Sequence, residues 1–245
     1  MIAIRSSTRL RNNLKRMSIL ASMMLVIGSL SLAAPAQSSD GEASKNKSDD
    51  EDKNVDFDPL KHVTGPDDVN RRWLERLNKL DRQLLNGRIG YAPPKFTEDL
   101  DWTNTAALSW SDLRGRVVVI QSWTCGTNAG RIWPMRIERE AHEVSEDVAV
   151  IALHTPQRAD NAKRFVERRS MDGAHVVIDR KGAYCDKIGF YKEPANIVIG
   201  RNGLVRYAGL NLGGLKKAIE KLREEPVVES FDPPTLGGDD EDDKS

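Results

Sequence analysis

Val117-Val118-Val119-Ile120-Gln121-Ser122-Trp123-Thr124-Cys125-Gly126-Thr127-Asn128-Ala129-Gly130-Arg131 decides how this chain folds. Its first residues are an unbroken β-branched run, which reads as a strand covered on both faces rather than one with a wet side. A short polar loop follows. Then Ile132, Trp133, Met135 and Ile137 recur with basic and acidic residues between them, the pattern of a helix. A buried strand that hands a cysteine to the start of a helix is a chemical device, because free N–H groups and the helix dipole at that end favour thiolate over thiol.

Downstream the same alternation continues. Val148–Leu153 and Ala174–Ile178 read as buried strands. Between them Asp160–Arg169 has a helical pattern with Ala162, Phe165 and Val166 inward. Gly182–Gly189 is a short helical piece and Ile197–Ile199 a further strand. Asn202-Gly203 is a hairpin signal that returns Leu204–Ala208 antiparallel. Leu215, Ala218, Ile219 and Leu222 give a closing helix its apolar face. Upstream, Leu100–Asn104 and Leu108–Leu113 supply a short strand and a turn. The order predicts an α/β domain with a partly parallel sheet, a terminal hairpin and helices on both faces.

With Tyr91-Ala92-Pro93-Pro94, Leu113-Arg114-Gly115-Arg116 and Glu193-Pro194-Ala195-Asn196-Ile197-Val198-Ile199 added, the chain from about Ile89 to Leu222 resembles the thioredoxin-like family. The branch it is most similar to is that of exported thiol–disulfide oxidoreductases and peroxiredoxin relatives. The resemblance implies a thioredoxin-like mixed β-sheet flanked by helices on both faces. It also implies a dithiol mechanism, in which one cysteine attacks a substrate disulfide and a second, one turn deeper, resolves the mixed disulfide. Two alignments of the loop stay open. In one, Cys125 is the nucleophile and Asn128 stands in place of the resolving cysteine. In the other, counted from Trp123, Thr127 and Gly130 occupy the two positions and neither is a cysteine. Pro194 corresponds to the family's cis-proline, which sits beside the active thiol. Glu193 before it is a carboxylate that would oppose a thiolate nearby.

Cys185 is the second of two cysteines. It fits a buried free thiol, a partner for Cys125 in an oxidising compartment, or a resolving thiol. Ser122-x-x-Cys125 resembles the hydroxyl–cysteine pair of peroxiredoxins, but Val118 stands where their proline is expected. His62, His142, His154 and His175 lack metal-ligand spacing, so no metal is expected. The sequence has no Gly-rich phosphate loop, catalytic triad signature or basic stripe, and no cofactor is expected.

The two ends read differently. Arg5, Arg9, Arg11, Lys15 and Arg16 precede an apolar segment, Met17–Ala34, and Ala34-Pro35-Ala36 is a small-x-small cleavage pattern. Residues 1–36 are therefore expected to be a signal peptide, with an uncleaved membrane anchor as the alternative. Lys+Arg and Asp+Glu are both 37, and loss of those five cations leaves about −5 on the rest. That balance speaks against nucleic acid as a partner. Residues 37–66 read as a disordered acidic linker and 67–88 as one amphipathic helix on Trp73, Leu77, Leu80 and Leu84. Residues 89–223 form the domain and 224–245 a disordered acidic tail.

Two functions follow. One is an extracytoplasmic, periplasmic or secreted thiol–disulfide oxidoreductase acting on protein thiols and disulfides through Cys125 alone. The other is a redox-inactive module of the same fold that binds a peptide partner through the same groove.

Overall fold

The computed structural model describes residues 57–169, 171–190 and 194–236. The signal segment, most of the linker, Glu193 and the last nine residues of the acidic tail lie outside the described residues.

Six strands form one mixed sheet. They are β1 (Asp101–Trp102), β2 (Val118–Trp123), β3 (Ala149–His154), β4 (His175–Ile178), β5 (Asn196–Ile199) and β6 (Val205–Ala208), in the spatial order β1-β4-β3-β2-β5-β6. β2, β3 and β4 run parallel, while β1, β5 and β6 pair antiparallel to their neighbours. Every residue of β2 and β3 is buried, as their continuous apolar runs require.

Both faces of the sheet are covered. The helices are α1 (Lys79–Asn86), α2 (Asn128–His142), α3 (Ala159–Arg169), α4 (Ala183–Ile188) and α5 (Leu212–Leu222). Val119 and Trp123 of β2 pack with Ile137 of α2, Ala162 of α3 and Ile219 of α5. Val118 and Ile120 face the other way, onto Leu85 of α1 and Ile188 of α4. The period-two alternation of one strand thus divides the core into two layers. Two successive parallel steps, β2 to β3 and β3 to β4, place α2 and α3 on one face, as right-handed crossovers demand.

The ends depart from expectation. Residues 67–88 are not one helix. A 3-10 turn at Arg71–Trp73 is followed by an extended segment, and α1 starts only after Asn78, whose side chain caps it through Asp81 N–H. The intervening chain pairs with the end of β6: Glu75 N–H donates to Gly209 C=O at 2.9 Å and Leu74 bridges Leu210. Backbone hydrogen bonds to the sheet have replaced helical ones, and Leu80, expected inward, is 64% exposed.

The described parts of the linker and tail are also held to the domain. Arg206 on β6 is buried; its guanidinium donates to the Glu225 carboxylate and to the His62 carbonyl. Asn202 bonds Pro226 C=O and Val228 N–H, and Ala92 N–H donates to Pro234 C=O. A low apolar content did not keep residues 57–66 and 224–236 off the domain, because one buried cation and several backbone groups needed partners.

Breaking that pair and removing it should differ. Glu225→Ala leaves a buried guanidinium without its carboxylate and should cost about 3–5 kcal/mol in denaturant unfolding, whereas the double change Arg206→Met, Glu225→Leu should be within about 1 kcal/mol of the parent. Equal losses in the two variants would show that the pair does not anchor these segments.

Candidate functional site

The end of β2 and the start of α2 are joined by Thr124–Thr127, and each residue of that loop has a defined partner. Thr127, not Cys125, caps the helix: its Oγ accepts the Gly130 N–H at 2.9 Å, from extended backbone at φ −126° and ψ 155°. Asn128 is the first helical residue and is exposed. Gly130 is buried against the loop. A Cβ there would fall on the Thr124 carbonyl oxygen and lie 2.9 Å from both Thr124 Cγ2 and Thr127 Oγ. The position one turn into the helix therefore has no room for a side chain.

Cys125 lies two residues before the cap and turns toward β3. Its N–H donates to His154 Nε2 at 3.0 Å and its thiol donates to the Arg158 carbonyl at 3.3 Å. The residue is 5% exposed. Burial raises its pKa, outweighing Arg131 and Arg158, which pull the other way. The expected activation of Cys125 by the helix start is thus reversed. One free N–H of the first turn, that of Gly130, goes to Thr127 Oγ, and the sulfur donates to the Arg158 carbonyl.

His154 fixes this arrangement. Its Nδ1–H donates to Thr155 C=O at 2.5 Å, which leaves Nε2 as an acceptor for the Cys125 N–H. The ring is fully buried and stacks edge-on against Trp123 at 4.5 Å. Burial, with Arg180 adding to it, lowers the His154 pKa to about 4, so the imidazole is neutral at pH 7.

Pro194 leads into β5, on the opposite flank of β2. The next residue, Ala195, exchanges backbone and side-chain hydrogen bonds with Ser122: its N–H donates to Ser122 Oγ at 2.8 Å and its carbonyl accepts the Ser122 N–H at 2.8 Å. Sheet order puts β3 on one side of β2 and β5 on the other. The N–H and the thiol of Cys125 both donate toward the β3 side, to His154 and Arg158. Ser122 Oγ is engaged with Ala195 and the Cys125 thiol donates to the Arg158 carbonyl, so among the described residues the peroxiredoxin-like pair is not assembled.

Cys185 is on α4, in the other core layer. Both cysteines are free and buried. The Cys185 pKa is raised, by burial first and then by Asp179, whose carboxylate accepts the Cys185 N–H at 2.7 Å. Cys125 packs in the layer of α2, α3 and α5 instead. The sheet separates the two sulfurs, so of the three readings of Cys185 the buried free thiol fits, and pairing with Cys125 or resolving its intermediate does not. Among the described residues no group of three His, Cys, Asp or Glu side chains could hold a metal ion.

One feature escaped the sequence reading, which found no basic stripe. Beside Cys125 opens a cavity of about 430 Å³ lined by Arg131, Arg158, Arg164, Arg168 and Arg169. Arg164, Phe165 and Arg168 recur at helical spacing on α3, a signal the sequence does carry. Arg131 comes from α2, where its Nε–H donates to Cys125 C=O at 2.7 Å, and only the fold brings it to the others.

No family model and no curated protein matches the chain by sequence. Solved structures do. A thioredoxin-like superfamily protein superposes with a TM-score of 0.50 at 21% identity, over 56% of this chain and 99% of that one. A thiol-disulfide isomerase from Corynebacterium glutamicum gives 0.45 at 24% identity, over 55% and 98%. The pneumococcal exposed lipoprotein thioredoxin of Streptococcus pneumoniae gives 0.44 at 15% identity, over 50% and 97%. Six strands with a parallel centre, an antiparallel terminal hairpin, helices on both faces and the superposition of the first of these lead to one conclusion: this chain has the thioredoxin-like fold.

Proposed function

We propose that this chain is an exported thioredoxin-fold binding module in which Cys125 is a structural thiol rather than a nucleophile. The observation that carries this is the direction of one hydrogen bond. The Cys125 thiol donates to the Arg158 carbonyl, while Thr127 holds the cap from which a nucleophile would draw its activation. The crowding at Gly130 supports the same reading, because a resolving sulfur has no space there. Support for export is in the sequence alone, from the basic start, the apolar segment and Ala34-Pro35-Ala36. Among the described residues no helix is long and apolar enough to cross a membrane.

The binding surface we assign is the exposed start of α2. Thr127, Asn128 and Ala129 are exposed, and Ile132 beyond them is 50% exposed. A peptide partner would lie along this exposed helix start. The second reading is a single-cysteine oxidoreductase. It is favoured by the place of Cys125 on the wall of the arginine cavity, where Arg131 and Arg158 draw its pKa down against burial.

Three measurements bear on these readings. Cys125 in the folded Cys185→Ala protein should alkylate at least about tenfold more slowly than free cysteine at pH 7, and insulin reduction should show no turnover. A rate at or above that of free cysteine establishes the second reading instead. Gly130→Ala should destabilise by about 1–3 kcal/mol through overpacking, and a neutral result removes the crowding argument.

The pH dependence comes from His154. An unfolded histidine takes up a proton near pH 6.5, whereas the folded one resists until about 4. Stability should therefore be whole above pH 6.5, fall as pH drops toward 4, and lose no more from this group below that. The loss should be about 3 kcal/mol, and His154→Gln should flatten the decline in this window. A parallel pH profile in the variant would show that His154 is not the group responsible.

A further inference from the structure

We propose that the arginine cavity beside Cys125 is a binding site for a small ligand carrying two or more phosphate or carboxylate groups. This inference stands whether or not Cys125 is reactive.

The argument begins with charge. Five arginines from two helices and the turn before one of them line a space of about 430 Å³, and no acidic side chain lines it. Asp160, on the same helix, faces Arg180 instead, at 3.0 Å. None of the five is in an ion pair among the described residues. Arg164 and Arg168 are one helical turn apart, an i,i+4 like-charge pair that weakens a helix in isolation. Arg158, Arg164, Arg168 and Arg169 are exposed, and repeated cations on one face raise the local positive potential and attract anions. The guanidinium fork matches the two-oxygen face of a carboxylate or phosphate.

One of the cations is held in place without a ligand. The Arg131 Nε–H is fixed on Cys125 C=O, which leaves its terminal N–H groups to point elsewhere. Arg158 has φ 60°, a left-handed conformation that a long side chain rarely adopts, and its carbonyl is the acceptor of the Cys125 thiol. The loop that anchors Cys125 therefore also carries a cationic residue of the cavity wall. Phe165 gives the wall one apolar surface, under the Arg169 guanidinium at 5.8 Å. The volume is at the small end of ligand pockets, which favours a compact polyanion over a long acidic chain.

The test is calorimetric titration of the protein with inorganic pyrophosphate and, separately, with citrate, at fixed ionic strength in sodium chloride. Arg164→Gln, Arg168→Gln is the site variant, and Arg136→Gln, Arg139→Gln on the exposed part of α2 is the control. At least one of the two anions should bind the parent and the control alike and bind the site variant at least about tenfold more weakly. The better ligand of the two distinguishes phosphate from carboxylate. Without ligand, the site variant should melt at or above the parent, since two repelling charges are gone. Absence of binding by both anions, equal affinity in the site variant, or tighter binding of hexaglutamate than of either small anion would overturn the proposal.

Discussion

The hydrogen bond from the Cys125 N–H to His154 Nε2 is the constraint on which the site depends. It joins the loop after the central strand to the end of the neighbouring strand. It needs a neutral imidazole with its proton on Nδ1, and burial together with the Thr155 carbonyl supplies that state. With the backbone of Cys125 drawn toward β3, its sulfur reaches the Arg158 carbonyl. The start of α2 is left to Thr127. Thiol-based chemistry in this fold relies on a sulfur at the helix start, so a displacement of two residues along the chain changes what the cysteine can do.

The same loop explains the cationic cavity. Cys125 C=O holds Arg131, and the turn that presents the Arg158 carbonyl to the thiol also presents the Arg158 side chain. The bonds of one buried cysteine thus reach two residues of the cavity wall, from different elements. A scaffold can keep its geometry while the chemistry at its edge changes, because the core of β2 and β3 is set by residues that take no part in the site.

How much of this could be read from the sequence follows the range of the interactions. β2 and β3 were legible because continuous runs of Val, Ile, Ala and Leu leave few alternatives to a strand buried on both faces. The hairpin at Asn202-Gly203 and the glycine ends of α4 were legible from local backbone preference. The lead segment was misread because Trp73, Leu77, Leu80 and Leu84 have helical spacing, while the edge of β6 that captures this chain is over a hundred residues away. The anchoring of the tail by Arg206 and Glu225 was invisible for the same reason. At the site, Thr127 is a residue type favoured at a helix N-cap, which the sequence displays. What it could not decide was whether Cys125 or Thr127 stood at the cap, since that depends on His154, a residue on another strand.

The central claim is that the Cys125 sulfur is a buried, protonated donor. Raman spectroscopy of the S–H stretch in the Cys185→Ala protein reads that state directly across a pH titration. The account predicts that the Cys125 band persists beyond about pH 8.5, where a free cysteine is half ionised. Loss of the band at neutral pH in the folded protein would contradict it.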